Sequence, residues 1–370
     1  MEKELKHTDV FRLLEKLAPK DLAYDWDNVG LQVGSDKHLV KKIMVTLDVL
    51  EPVVDEAINK EVNLIIAHHP MLFKPLNQIH VESPQGRMVS KLLKHDITVY
   101  AAHTNYDLAE GGMNDILCEK LNIQPTHHVR EYRVQSLYKL VCFVPLSHAE
   151  KVRDAMGNSG AGHIGNYSHC TFQSQGQGTF KPLEGTNPYI GTQNQLEFVD
   201  EVRMETIVEE ENLNKVVQAM INAHPYEEVA YDIYPLENKG KKYGLGRIGT
   251  LAKPVTLREF AVRVKNKLDI PYARVTGDLD AQIRKVAILG GSGENYIHAA
   301  KQKGADVYIT GDMTFHAAQD AWQMGLAVID AGHYIEKAMK ESVKRYLENN
   351  LDDNVEIIVS ETNTDPFQFI

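Results

Sequence analysis

The chain has 370 residues, with 51 Asp and Glu against 40 Lys and Arg, and a formal net charge of −11 at pH 7. This negative balance argues against general binding to nucleic acid or to an anionic membrane surface. The length allows two domains, each with its own core. Three cysteines without disulfide or zinc-type spacing, and an N-terminus without a signal-peptide segment, lead us to expect a cytoplasmic protein.

Two regions, residues 43–107 and 285–336, repeat one order of predicted strands and helices. Short apolar runs predict buried strands, and the stretches between them have the pattern of helices. The strands are expected at 42–48, 62–67, 97–102, 285–290, 306–310 and 326–330, and the helices at 51–58, 86–93, 295–303 and 315–324. This alternation predicts parallel strands joined by right-handed crossovers.

Side chains that bind metals follow the predicted strands of both regions. His68 and His69 end one strand of the first region, and Asp107 follows the next strand, while His333 and Glu336 follow the last strand of the second region. The carboxyl ends of such strands form the ligand crevice, and imidazole and carboxylate groups suit divalent transition metals. A carboxylate at Asp107 or Glu336 can bridge two ions. The pattern therefore predicts a metal site shared by the two regions.

Each of these residues has a plainer interpretation when it is taken alone. Asp107 is a common turn or cap residue, and His333 with Glu336 could be an exposed pair on a helix face. His103 and His316 are candidates for proton transfer, but hydrogen-bonded structural histidines fit them equally well. Asp48 and Asp312 could cap helices, and the glycines at 290, 291 and 293 could cradle a phosphate or form a tight turn.

Six segments together resemble the Nif-three-like family, whose members are catalogued as GTP cyclohydrolase 1 type 2 homologues. The segments are 26–34 (WDNVGLQVG), 65–70 (IIAHHP), 103–107 (HTNYD), 244–249 (GLGRIG), 310–312 (TGD) and 332–336 (GHYIE). The resemblance covers the chain except a central stretch near 128–240. It implies a dinuclear metal centre with the ligands His68, His69, Asp107, His333 and Glu336. Zinc is the first expectation, and iron, manganese, cobalt or nickel are alternatives. The family resemblance also implies a homohexamer, a ring or toroid with its metal sites facing an internal cavity.

The expected fold is α/β, with two similar half-domains whose parallel-rich sheets form one core over residues 1–127 and 241–370. The stretch 128–240 contains two tandem strand–helix–strand units, the pattern of an inserted α+β ferredoxin-like domain. It resembles the small trimeric signalling and metal-tolerance (PII/CutA-like) domains and is expected to serve assembly or regulation. Within it, residues 173–195 are rich in Gly, Gln, Thr and Asn and predict a long loop or flexible hairpin.

Three classes of function remain open from the sequence. The first is a metal-dependent hydrolase acting on a nucleotide or phosphoester, in which His103 or His316 assists proton transfer. The second is a metal carrier or storage protein, and the third is an interaction scaffold with a structural metal. The chain has no phosphate-binding loop and no complete dinucleotide fingerprint. The histidines of the central stretch, His163, His169 and His224, favour loop or interface roles.

Overall fold

The computed structural model describes residues 4–352, 354–368 and 370. It has two compact units, which are Met1–Arg133 with Tyr243–Ile370 (unit 1) and Val134–Lys242 (unit 2). The sequence had predicted domain boundaries at 127/128 and 240/241. Within the described residues, no helix combines the length and the apolar character that crossing a bilayer requires.

The N-terminal part of unit 1 supplies its first sheet and the helices around it. Its elements are α1 His7–Leu17, β1 Gly30–Val33, β2 Lys42–Thr46, α2 Glu51–Asn59, β3 Leu64–Ala67, α3 Pro84–Lys94, β4 Thr98–Ala101, α4 Thr104–Leu108, α5 Met113–Leu121, β5 Gln124–His127 and β6 Arg130–Val134. Proline lies in the first turn of α2 and of α3, where its missing N–H is not needed for the helix.

Unit 2 is a four-stranded antiparallel sheet in the order β10-β7-β9-β8. Its elements are β7 Leu137–Pro145, α6 Ala149–Asn158, β8 Thr171–Phe180, β9 Glu197–Glu209, α7 Leu213–Ala223 and β10 Tyr231–Leu236. Apolar side chains of the sheet and of the two helices form one buried cluster. Of the two forms predicted for 173–195, a long loop or a hairpin, the hairpin is the one found for 173–180, because those residues pair with β9 from Glu197 to Met204.

The C-terminal part of unit 1 supplies the second sheet except β5, and it also supplies β17 of the first sheet and β11, which pairs with β6. Its elements are β11 Lys242–Leu245, β12 Arg247–Thr256, α8 Leu257–Lys267, β13 Arg274–Thr276, β14 Gln282–Ser292, α9 Ile297–Gln302, β15 Val307–Gly311, α10 Phe315–Gln323, β16 Ala327–Asp330, α11 Met339–Glu348 and β17 Glu356–Val359. Helix α8 begins with a capping box in which Thr256 and Glu259 satisfy each other's backbone N–H groups.

The two large sheets of unit 1 share one topology in their central strands. The first has the order β1-β4-β3-β2-β17, and the second has the order β13-β16-β15-β14-β12-β5. In each, three consecutive strands are parallel and an antiparallel strand pairs with the last of them. The repeat predicted from the sequence is therefore a structural repeat, and β3 and β4 correspond to β15 and β16. Both sheets are mixed, and the fold is α/β.

One hydrophobic core lies between the elements of both sheets. Ile43 and Ile66 of the first sheet belong to the same buried cluster as Ile288 and Ile309 of the second. A separate cluster covers the other face of the first sheet with side chains of α2 and α3. Burying each such large aliphatic side chain contributes about 1.5–3 kcal/mol. This packing fixes the carboxyl ends of the central strands, from which the candidate ligands project.

Candidate metal centre

The predicted ligands lie at equivalent strand ends of the two halves of unit 1. His68 and His69 follow β3, and Asp107 lies on the short helix α4 after β4. The segment His333–Ala338 after β16 is a 3-10 helix, preceded by Gly332 at a φ of 78°. Residues three apart lie on one side of a 3-10 helix, so His333 and Glu336 face the same way. The structure thus brings together all the ligands that the resemblance implied.

Glu336 lies at the middle of this cluster, and its two oxygens face different partners. Oε2 is 3.1 Å from Nε2 of His69 and 3.1 Å from Nε2 of His333. Oε1 is 3.8 Å from Nε2 of His68, which is 3.6 Å from Oδ1 of Asp107. Two groups able to hold a metal ion result, one with His69 and His333 and one with His68 and Asp107, and Glu336 belongs to both.

The three histidine rings are oriented by oxygen acceptors on their other nitrogen. Nδ1 of His68 donates to the carbonyl of Ala102 at 2.8 Å. Nδ1 of His69 contacts Asp48 at 2.6 Å, and Nδ1 of His333 contacts Asp312 at 2.7 Å. With a proton held at Nδ1, a ring that binds an ion would present the lone pair of Nε2 to the centre, which is the arrangement found in metal-binding histidines.

Two buried polar atoms of the cluster have no hydrogen-bond partner within the described residues, and their separation bears on whether a metal ion fits. Among the described residues, Nε2 of His68 and Oδ1 of Asp107 are buried without a hydrogen-bond partner. Orphaned buried polar atoms are rare because each costs free energy. Two ligands about 2.1 Å from one ion at a tetrahedral angle lie about 3.4 Å apart, close to the separation of these atoms. The donor set therefore fits a divalent ion.

The metal-free cluster concentrates charge in a buried place. Burial, and then the neighbouring Glu336 carboxylate, raises the pKa of Asp107 to about 7. Burial alone would raise the pKa of Glu336, but hydrogen bonds from His333 and His69 hold it well below its usual range. For His69, burial is outweighed by hydrogen bonds to Asp48 and Glu336, which raise its pKa to about 10. Such strongly shifted groups in a crevice are typical of functional sites.

Two glycines near the end of β14, Gly290 and Gly291, make room for Glu336. A Cβ atom on Gly291 would lie 2.6 Å from Oε1 of Glu336, and Gly291 has a φ of 67° that favours glycine. The close approach therefore explains this glycine, and the following helix α9 is too short to offer an anion site.

Asn114 connects the two halves here, because its side chain donates to the Asp107 carbonyl and accepts from the Gly290 N–H, each at 3.0 Å.

His103 lies beside the cluster. Its Nδ1 is 2.9 Å from Oδ1 of Asp27, and Asp27 also accepts hydrogen bonds from Thr104. The His103 ring centroid is 5.3 Å from that of His68 and 5.5 Å from that of His69, and these three histidines form a further group able to hold an ion. The position suits a group that exchanges a proton with a bound substrate.

The other candidate histidines lie elsewhere. His316 is exposed on α10 and contacts Gln319 at 3.3 Å, and it belongs to none of the metal-binding groups in the described residues. In unit 2, His224 is held by the Phe143 carbonyl and the Tyr226 N–H. His169 contacts Ser168 and Asn158. The catalytic role suggested for His316 therefore remains a prediction without a structural contact to the centre.

A cavity of about 690 Å³ opens beside His69 and His333. Its walls include Tyr272, Tyr334 and Arg274. Nη2 of Arg274 contacts Asp330 and the Met313 carbonyl. Pockets for small metabolites and cofactors have volumes of roughly 300–1,000 Å³, so the cavity has the size for such a ligand.

Sequence reasoning missed several residues that orient the ligands. Asp48 and Asp312 had been interpreted as possible helix caps, yet their carboxylates contact His69 and His333. Thr364 donates to Asp48 at 2.5 Å, so the C-terminal segment also reaches the site. Asp48 and Asp312 could have been found from the sequence, because both lie at the ends of predicted strands. Asn114 and Thr364 had no such signal, because their partners are distant in sequence.

The repeated α/β halves around one histidine and carboxylate cluster define a family of proteins to which this chain belongs. The model of the Duf34/NIF3 (NGG1p interacting factor 3) family matches residues 5–366. The resemblance stated from the six sequence motifs is thereby confirmed.

Curated relatives and solved structures agree with this assignment. The chain is 52% identical over 373 residues to a Bacillus subtilis protein named GTP cyclohydrolase 1 type 2 homolog, and the match covers all of both chains. A solved Bacillus cereus protein related to NIF3 superposes with a TM-score of 0.94 at 50% identity. A solved Staphylococcus aureus protein gives 0.79 at 31% identity, and both structural matches cover 100% of each chain.

Proposed function

We propose that the chain is a hydrolase dependent on two divalent metal ions, acting on a nucleotide or another phosphoester. The observation that carries this proposal is the position of Glu336, whose two oxygens face the two groups of ligands described above. A carboxylate in this position could hold one ion with each of its two oxygens. Histidine and carboxylate ligands suit zinc first, and also iron, manganese, cobalt or nickel. The name carried by the Bacillus subtilis relative supports a nucleotide substrate.

Bound ions would supply Lewis-acid polarisation and a water that ionises near neutral pH. The residues of the chain supply the remaining functions. His69 and His333 border the cavity, so a substrate there lies against the centre. Arg274 can donate its remaining N–H groups to a phosphate, a pairing that guanidinium geometry favours. Asp27 orients His103, which can carry a proton to or from the substrate.

A second candidate is a metal carrier or storage protein. The side chains of His333 and Asp312 are 42% and 43% exposed, so ions can reach the centre from solvent. A transfer protein needs such access and no general acid or base. The two candidates predict different effects of replacing His103. A hydrolase would lose turnover, whereas a metal carrier would keep its metal binding and transfer.

The test is a comparison of metal-loaded variants for formate release from GTP and for cleavage of phosphoesters. Asp107→Ala and Glu336→Ala should abolish activity together with metal binding. His103→Ala should lower the turnover rate and retain the metal. His316→Ala tests the other histidine predicted for proton transfer, and unchanged turnover in that variant would assign the role to His103 alone. Activity that survives loss of Glu336 would come from a contaminant, and inactivity with every metal would favour the carrier function.

We also propose that unit 2 is a ferredoxin-like domain and that the chain forms homohexameric rings. The strand order β10-β7-β9-β8 with two helices on one face supports the first point. The family resemblance supports the second. Light scattering should give about 250 kDa for six chains of 41.7 kDa, and a monomer mass would refute the ring.

A further inference from the structure

Unit 2 contains a buried carboxylate that neither the fold nor the proposed hydrolase uses. Glu201 on β9 is only 8% exposed. Its one hydrogen bond within the described residues comes from the hydroxyl of Tyr226, which donates to Oε1 at 3.0 Å. Burial, and then this hydrogen bond, raises the pKa of Tyr226, so the phenol keeps its proton and remains a donor. Oε2 receives no side-chain hydrogen bond in the described part of the chain and borders a cavity, so it can form an ion pair with a cation there.

The carboxylate borders a cavity of about 890 Å³, the size of a small-molecule site. Strand β8 forms one wall, and its glycines leave that wall open. Nothing lies within 4 Å of the place where a Cβ of Gly176 would be, and a Cβ on Gly178 would collide with Oε2 of Glu201. Glycine at both positions therefore accommodates the carboxylate and keeps space beside it.

Aromatic rings surround the same space. The ring centroid of Tyr226 lies 5.7 Å from that of Phe180 and 6.4 Å from that of Tyr189, and all three rings line the cavity. The faces of aromatic rings attract organic cations, and the attraction strengthens where water is excluded. A carboxylate flanked by three rings is a combination that recognises a positively charged nitrogen on an apolar body.

The remaining charges around the cavity have the same sign preference. Besides Glu201, three glutamates line it, against one lysine and one arginine. The arginine, Arg203, is already paired with Glu205 at 2.8 Å. An anionic ligand would therefore meet a net negative wall, whereas a cation would be attracted to it.

We infer that unit 2 binds a small organic ammonium ion, with its nitrogen at Glu201 and its apolar body among Phe180, Tyr189 and Tyr226. This site is separate from the metal centre and independent of the proposed hydrolase. The ligand class is a primary or substituted amine that carries an aromatic or similarly flat group.

The test uses the full chain and phenethylammonium as the probe, with 2-phenylethanol as its uncharged counterpart. Calorimetry and ligand-observed NMR should give a dissociation constant of about 1 mM or lower for the cation. The alcohol should bind at least about tenfold more weakly, because it cannot form the ion pair. Equal affinity for the two probes, or no binding of the cation, would overturn the inference.

Variants locate the site. Glu201→Gln keeps the size of the side chain and removes its charge, so it should weaken the cation about tenfold and leave the alcohol unchanged. Glu150→Gln removes the same charge from an exposed position on α6 and should change neither. Tyr189 is 54% exposed, so Tyr189→Ser leaves the core intact and should weaken the cation severalfold. Wild-type affinity in both Glu201→Gln and Tyr189→Ser would contradict the site, and Tyr189→Ser alone decides if the first variant does not fold.

Discussion

Replacing Asn114 with alanine should weaken metal binding as well as the fold. The side chain is 1% exposed and makes two hydrogen bonds of 3.0 Å, to the Asp107 carbonyl and from the Gly290 N–H. Leaving these buried groups unpaired costs about 1–3 kcal/mol each, so unit 1 should lose about 3 kcal/mol of unfolding free energy. A Cβ atom on Gly290 would lie 3.3 Å from the Glu336 side chain, so this part of β14 is next to that carboxylate. Because Asn114 thus sets the separation of the two carboxylate ligands, metal affinity should fall about 10–100-fold.

The assay combines chemical denaturation of metal-free protein with chelator competition for the metal-loaded protein. Asn63→Ala is the matched control, because Asn63 is also buried, at 9% exposure. Its side chain binds the backbone of Leu39, Lys41 and Lys42, at the ends of the strands away from the metal ligands. The control should lose similar stability and keep its metal affinity. Equal metal affinity in both variants would show that Asn114 has only a structural role.

Three further changes have defined outcomes. Gly291→Ala places a Cβ 2.6 Å from a Glu336 oxygen, and residue 291 has a φ of 67°. Elemental analysis should therefore find fewer bound ions than in wild type, and full metal loading would refute the steric account. Hydrogen bonds outweigh burial and lower the pKa of Glu56 from 4.5 to about 2, so its ionised form stabilises the fold above pH 4.5. Glu56→Gln should therefore cost about 2 kcal/mol at pH 7, and this deficit should shrink as the pH falls from 4.5 towards 2 in denaturation curves; a deficit independent of pH would contradict the assignment. Arg247→Met leaves Asp115 without the guanidinium that it contacts at 2.6 and 2.7 Å. Chemical denaturation should show a loss of about 3–5 kcal/mol of unfolding free energy. Unchanged stability would show that the pair is not needed.

The strands and the metal cluster were predictable because both follow from local pattern and a topological rule. The apolar runs before His69 and before Asp107 are strands β3 and β4. Parallel strands in sequence order bring their carboxyl ends to one edge, so residues after each strand meet there. The repeat of this pattern near His333 was enough to place the second set of ligands.

The supporting contacts were not predictable, because they join positions that only the folded chain brings together. Asn114 and Gly290 are 176 residues apart in the chain, and the hydrogen bond between them depends on how α5 packs against β14. Residues 173–180 form a strand despite their Gly and Gln content, because the partner strand β9 supplies the hydrogen bonds. Strand formation depends on such pairing more than on local propensity. Composition alone therefore could not decide between a loop and a hairpin there.

Anomalous X-ray diffraction from crystals of the metal-loaded chain tests the two-ion centre most directly. We expect two peaks about 3.5–4 Å apart, one on each side of the Glu336 carboxylate. His69 and His333 should bind one ion, and His68 and Asp107 should bind the other. A single peak at full metal loading, or a pair of peaks that Glu336 does not join, would contradict the bridging role and with it the proposed hydrolase.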